Sequence, residues 1–221
     1  MPIRPRHLMP AALALAVAHP GPAPAQDLTF AMDVAREQSD LRYDDGRRID
    51  TRETRVSASF REPLTAHVDG TLTLGASWVS QDGDPATEGE DLTGGFGGLT
   101  LEGVWPLNPE LAVEAAVGWQ YHRASGDGRD GDITLERHVG SARGGLRLSV
   151  EDLSLAGGAL YQYTDGERRI DGLDTQGFET DDDVGIYARV GLGTGAGGAV
   201  AVEAVTGPWR GVRLIFSRRF R

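Results

Sequence analysis

The chain contains no cysteine in 221 residues. That excludes a disulfide scaffold, a thiolate metal site and a cysteine nucleophile. Lysine is absent as well, so all 22 basic residues are arginine. Walker-A phosphate binding, Schiff-base chemistry and a Ser-Lys dyad have no residue to carry them. Long apolar runs are scarce. The one helix-like run lies at the extreme N-terminus, and nothing later approaches the ~20 apolar residues of a membrane-crossing helix. Positive charge is outnumbered: 33 acidic residues leave a net charge of −11, which argues against nucleic acid as a partner. Hydrophobic residues make up 39%, enough to argue against a wholly disordered chain. The length allows one domain, or at most two small ones. What is abundant is glycine, 31 residues, about twice the usual share of ~7%.

The N-terminus has the layout of an export signal. Arg4, Arg6 and His7 form a basic start, residues 8–18 (LMPAALALAVA) an apolar stretch, and Ala23-Pro24-Ala25 a small-x-small cleavage pattern. The apolar stretch is too short to cross ~30 Å of hydrocarbon as a helix. Residues 1–25 are therefore expected to be a signal peptide, and 26–221 the exported domain.

Beyond it the pattern has period 2, with no sustained helical stripe. Leu28, Phe30, Met32 and Val34 alternate with Thr29, Ala31, Asp33 and Ala35. The same alternation recurs at 56–60, 72–78, 99–105, 111–121, 146–150, 155–163, 184–192, 200–204 and 212–216. These make ten candidate strands of ~8–13 residues each, where a strand crossing a bilayer needs ~9–11. The phase slips between His138 and Gly144, which suggests a bulge or a late strand start there. The connections alternate in turn. Long or polar segments at about 38–50, 81–93, 124–138, 165–182 and 206–210 are interleaved with tight ones at 62–67, 106–110, 151–152 and 194–198. Short periplasmic turns and longer external loops follow this rhythm in bacterial outer-membrane barrels. The expected fold is all-β: one antiparallel up-and-down transmembrane barrel of ten strands, with eight as the alternative. Apolar residues would face lipid and polar ones the lumen. Trp78, Trp105, Trp119, Tyr121, Tyr161, Tyr163 and Phe220 would form aromatic girdles. The competing fold is a soluble β-barrel or sandwich with one buried face.

The last strand carries a resemblance. Gly211-x-x-Leu214-x-Phe216, continued in phase by Phe220, resembles the β-signal by which outer-membrane barrels are recognised for assembly. Arg218 falls on the lipid face and Arg221 follows the terminal aromatic. Export signal, alternating strands and this last strand together are similar to the small outer-membrane β-barrel proteins of Gram-negative bacteria. The resemblance implies an outer-membrane location, lipid as solvent, and the barrel-assembly machinery as a partner of the C-terminal strand. It names an architecture and no activity.

Charged residues share the polar faces: Asp33, Arg55, Glu102, Glu114, Arg143, Arg147, Arg189, Glu203 and Arg213. Isolated charges inside a narrow barrel would be costly, so a paired Arg–carboxylate network is expected. At ten strands such a network reads as an interior plug, with a charge-lined conduction path as the alternative. The external loops are acidic, with Asp82, Asp84, Glu88, Glu90 and Asp91 in one, Asp127, Asp130 and Asp132 in the next, and eight acidic residues across 165–183. They could hold divalent cations or serve as solvated loops; none has EF-hand spacing. Gly193-x-Gly195-x-x-Gly198 matches a dinucleotide fingerprint by letter, but a strand follows it, so it reads as a turn. Outer-membrane phospholipases and lipid A deacylases use His-x-Ser. Neither His122 nor His138 is followed by that spacing. The outer-membrane aspartyl proteases pair Asp-x-Asp with Asp-x-His; Asp82-Gly83-Asp84 is present, and no Asp-x-His is. No catalytic, metal or cofactor residue is assigned. The expectation is a non-enzymatic barrel with a structural or surface-interaction role. A narrow porin for small solutes is the first alternative and a lipid-modifying enzyme the second.

Overall fold

The computed structural model describes residues 28–220 apart from 85, 86, 88, 89, 129, 130, 173 and 174. The expected signal peptide lies outside the described residues. Eleven strands are described: β1 (Leu28–Tyr43), β2 (Arg48–Pro63), β3 (Val68–Asp82), β4 (Asp91–Pro106), β5 (Leu111–Gly128), β6 (Gly131–Val150), β7 (Leu153–Ile170), β8 (Gln176–Thr180), β9 (Val184–Gly195), β10 (Gly198–Thr206) and β11 (Arg210–Phe220). Each pairs antiparallel with its neighbours, and β11 returns to β1, from Leu28↔Phe220 to Gln38↔Arg210. Ten strands, all except β8, thus form a closed ring. Closure leaves no unpaired sheet edge, which hydrocarbon requires because it offers no water to an orphaned N–H or C=O.

The lower half of the ring wears its apolar residues outside. Val34, Leu74, Val117, Leu146, Val190 and Val212 all face outward and are exposed. Val184 and Ile186 reach 69% and 63% exposure, values a water-soluble core strand would not tolerate. On β7 this belt runs from Leu153 to Tyr163. About eleven residues at ~3.3 Å, tilted ~40°, cover roughly 25 Å, the height of a membrane barrel's apolar band. Trp78, Trp119, Tyr161 and Tyr163 stand exposed at its upper edge, and Trp105 and Phe220 at its lower edge. A soluble barrel with one buried face is therefore excluded.

Above the aromatic edge the pattern inverts. On β1 the outward residues become Arg36, Gln38, Asp40 and Arg42, while the inward ones become Leu41 and Tyr43. On β3, Trp78 is followed outward by Ser80 and Asp82, with Val79 buried. The segments expected to be long loops are mostly continuations of the strands, so β1 and β2 are joined by residues 44–47 alone. Over this upper part β9, β10 and β11 have ended. β8 takes their place, pairing Asp165↔Glu179 to Arg168↔Gln176 with β7 and Leu41↔Thr180 to Tyr43↔Phe178 with β1. The outer end is thereby an eight-stranded ring. Its interior is an apolar cluster of Leu41, Tyr43, Ile49, Val79, Leu92, Ala124, Ile133, Leu135, Ile170 and Phe178, with every strand of that ring contributing. Eight strands leave an interior that side chains can fill. This dome is a water-soluble barrel set on a membrane one.

One sequence expectation about register is corrected. Neither a bulge nor a late strand start occurs at 138–144: β6 keeps one register with β5 and β7 throughout. The apparent slip arises because the outward residues there, Gly140, Ala142 and Gly144, are small, while inward Val139 is apolar. The irregularity lies between Gly198 and Ala199, after a turn in which Gly195, Ala196 and Gly197 all have positive φ. That turn is the glycine-rich segment that matched a dinucleotide fingerprint. A close approach explains one further glycine. The 207–209 turn folds back over β9, where a Cβ on Gly185 would run into the Thr206 carbonyl oxygen.

The inversion is testable on one face of β3. Leu74→Arg, within the belt, is expected to cost ~2–4 kcal/mol in lipid vesicles, whereas Ser80→Arg, outward but above it, is expected to stay within ~0.5 kcal/mol. Chemical-unfolding midpoints check both. In the dome, Leu92→Ala is expected to cost ~2–5 kcal/mol, because Leu92 is fully buried and leaves a cavity.

Candidate functional site

The pleat decides which side chains enter the lumen. On β1, Asp33 and Glu37 share the inward parity; on β2, Glu53, Arg55 and Arg61 do; on β6, Arg137, Arg143 and Arg147 do. All nine sequence-selected charges face the lumen, and they form one connected network. Glu114 and Glu102 each accept three hydrogen bonds. Glu114 receives Arg147 Nε at 2.8 Å, Arg189 Nη2 at 2.9 Å and the Tyr187 hydroxyl at 2.7 Å. Glu102 accepts from Arg147 at 3.1 Å and Arg61 at 3.2 Å, and from Arg143 at 3.3 Å. Arg143 also donates to Glu203 at 3.1 Å. Arg55 pairs with Glu37, and Asp33 accepts from the Ser57 hydroxyl. Arg213 sits among Asp33, Glu203 and Glu37 at 3.6, 3.8 and 3.9 Å. Glu102, Glu114 and Glu203 are each 2–4% exposed, so their charges are tolerated only because they are paired.

Sequence reasoning missed Glu37, Glu53, Arg61, His122, Arg137 and Tyr187. Several lie in or beside segments read as loops. The usable signal was parity: each has the same inward phase as a selected charge on its strand. His122 and Glu53 belong to a second layer, nearer the dome. Arg137 pairs with Glu53 across the lumen and donates to His122 Nδ1 at 3.2 Å. The imidazole proton then sits on Nε2, which donates to Gln120 Oε1 at 3.1 Å. The ring stacks on Phe96 at 4.9 Å. His138 faces outward between Trp119 and Tyr121, at 5.7 and 5.2 Å. Among the described residues no serine hydroxyl hydrogen-bonds to either ring.

Cavities lie on both sides of the network. One of about 160 Å³ lies toward the dome, lined by residues such as Leu41, His122 and Trp209. One of about 320 Å³ lies toward the short turns, lined by residues such as Thr29, Thr71 and Ser217. Beyond the first, the apolar cluster fills the eight-stranded ring, with Leu41 and Leu92 at 0% exposure. Over it Asp84, 1% exposed, is held by Arg47 and Arg168.

The described acidic residues of the expected external loops belong to the dome. Asp82 pairs with Arg52 at 2.7 Å, Asp181 with Arg48 at 3.0 Å, and Glu179 with Arg42. Among the described residues no three His or carboxylate groups converge as a metal site, while Glu88, Asp130 and Asp174 lie outside the described residues. The four residues of the terminal motif sit on β11. Leu214, Phe216 and Phe220 face outward and are exposed, and Gly211 faces inward against the Arg36 carbonyl oxygen, leaving no room for a Cβ.

No sequence-family model matches the chain, and no curated protein matches it. Solved structures do. The translocator domain of autotransporter NalP from Neisseria meningitidis has a TM-score of 0.52 at 9% identity, over 88% of this chain and 88% of that one. Outer membrane protease OmpT from Escherichia coli has a TM-score of 0.50 at 10% identity, over 92% and 97%. The beta domain of the Bordetella autotransporter Brka has a TM-score of 0.50 at 10% identity, over 90% and 100%. The likeness is one of fold, and the fold is the outer-membrane β-barrel.

Removing one acceptor from the network is expected to strand its donors. Glu114→Ala is expected to lower barrel stability by ~3–5 kcal/mol, and Glu114→Gln by less, since the amide oxygen still accepts. Unfolding midpoints in detergent check the pair.

Proposed function

We propose that this chain is a small exported outer-membrane barrel whose role is structural or surface-interacting, with no conducting lumen. One observation carries the reading: the lumen is filled at two levels by different chemistry. The lower fill is the Arg–carboxylate network. The upper fill is the apolar cluster to which each strand of the eight-stranded ring contributes. A continuous water path would have to cross both. The polar dome then presents its charged outer wall beyond the membrane, as a surface for lipid headgroups, cations or other molecules.

The arrangement around His122 supports a non-enzymatic role. Its two nitrogens are occupied by Arg137 and Gln120, and among the described residues no serine or threonine hydroxyl hydrogen-bonds to either. Assembly through the C-terminal strand fits the position of β11, which closes the ring onto β1 and carries Leu214, Phe216 and Phe220 outward.

Planar-bilayer recording of the refolded protein tests the closed lumen. The expected outcome is a folded, heat-modifiable protein with no steady conductance. A steady open level that shifts when Arg147 or Glu114 is substituted would overturn the reading in favour of a porin.

A further inference from the structure

Pairing followed round the ring fixes the height at which each outward residue sits. A row that starts at Thr93 on β4 and runs through Trp78, Thr54 and Arg36 returns to β4 at Trp105. From β3 to β2, and on to β1 and β11, rows therefore sink toward the short turns by roughly one residue per strand. The level of the outer aromatic edge, marked by Trp78 and Tyr163, then crosses β2 beside Arg52, β1 beside Gln38 and β11 beside Arg210. Arg36 lies on β1 just below it. Where β3, β5 and β7 present aromatic rings at this edge, the β11–β1–β2 sector presents arginines. Arg36, Arg52 and Arg210 all face outward and are exposed.

Arg36 stands opposite Thr54 on β2 and Val212 on β11, so Arg52 and Arg210 are its diagonal neighbours. Diagonal Cα atoms in a sheet lie ~7–8 Å apart, within reach of long side chains. Arg52 pairs with Asp82 at 2.7 Å. Among the described residues Arg36 and Arg210 make no ion pair and donate no side-chain hydrogen bond. No carboxylate occupies an outward position beside Arg36 on β1, β2 or β11. Glu37 and Glu53 face the lumen, where Arg55 and Arg137 hold them. Asp40, diagonal to Arg210, and Asp50, which accepts from Gln38 at 2.7 Å, both stand further from the membrane. Arg123, outward on β5, differs in having Glu136 at 3.5 Å. Below Arg36 the outer wall is apolar and exposed at Val34, Val212 and Leu214. An unpaired guanidinium at that border is costly unless its surroundings supply an anion, and repulsion among neighbouring arginines adds to the cost.

We propose, on the reading above that puts the dome beyond the membrane, that this sector of the outer edge binds the phosphate group of an anionic membrane lipid, with Arg36 and Arg210 as its ligands and Arg52 beside them. A guanidinium can give a phosphate two parallel N–H···O bonds, and one phosphate shared by two arginines compensates both. The stem of Arg36 then lies along the apolar wall while its head meets the phosphate. The acyl chains run down over Val34, Val212 and Leu214. A free phosphate lacks that second contact, so the lipid is held in preference to it.

Titration of the refolded barrel in neutral detergent with phosphatidic acid, read by native mass spectrometry, tests the site. Saturable retention of the lipid is expected, with no retention of phosphatidylcholine. Arg36→Gln and Arg210→Gln are each expected to weaken retention about fivefold. Arg123→Gln is expected to leave it unchanged, and excess inorganic phosphate is expected not to displace the lipid. Lack of retention by the folded protein overturns the proposal, as does retention that neither Arg36→Gln nor Arg210→Gln weakens. Displacement by inorganic phosphate overturns the lipid assignment in favour of a soluble anion. Conductance of the same preparation keeps this site and the closed lumen apart. Retention by a steadily conducting barrel keeps the site and overturns the closed lumen. A folded, non-conducting barrel that retains no lipid overturns the site alone.

Discussion

Everything in this molecule depends on one constraint: a backbone in hydrocarbon has no water to pair its N–H and C=O groups. The sheet therefore closes, β11 onto β1, and the ten-stranded ring follows. Closure also settles what each face of each strand meets. One face meets lipid and selects Leu, Val and aromatic residues. The other meets a narrow interior in which every charge needs a partner.

The constraint ends at the membrane surface, and the chain responds there. Above Trp78, Trp119 and Tyr163 the outside is water, so the outward residues turn polar and the inward ones apolar. The same strands continue with unchanged hydrogen bonding, because the backbone ladder is indifferent to which face is apolar. The ring narrows from ten strands to eight as β8 replaces β9, β10 and β11. An apolar core needs that narrowing, since eight strands bring opposing walls within side-chain reach. Where the ring is wider, long arginine and glutamate side chains span it. Arg137 on β6 meets Glu53 on β2, and Arg147 on β6 meets Glu102 on β4.

The two halves were unequally legible in sequence. In the membrane half, strong alternation such as Leu72, Leu74, Ala76 and Trp78 stands out, and the nine inward charges could be selected by parity. In the dome the alternation is present with its sign reversed and its apolar members sparse. Leu41, Tyr43 and Ile49 sit among Arg, Asp and Thr, so the stretch resembles a polar loop. β8, QGFET, is five residues long, too short for a period to register. Glu37, Glu53 and Arg137 were missed for that reason: they lie at or beyond the point where the reading had placed the strand ends.

What the sequence by itself determined is what the pleat makes local: which residues share a face, where short turns fall, and hence a closed barrel in lipid with charges inside. Alternation needs no knowledge of any other strand. The tertiary structure decided what depends on distant register. Glu102 on β4 pairs with arginines on β2 and β6, neither of them its neighbour in the sheet. Arg213 is left without a hydrogen bond because Asp33, Glu37 and Glu203 happen to arrive just out of reach. The eight-stranded dome exists because β8 meets both β7 and β1 across a gap that only the closed ring creates. Facing is a property of one strand; partnership across a lumen is a property of the whole circumference.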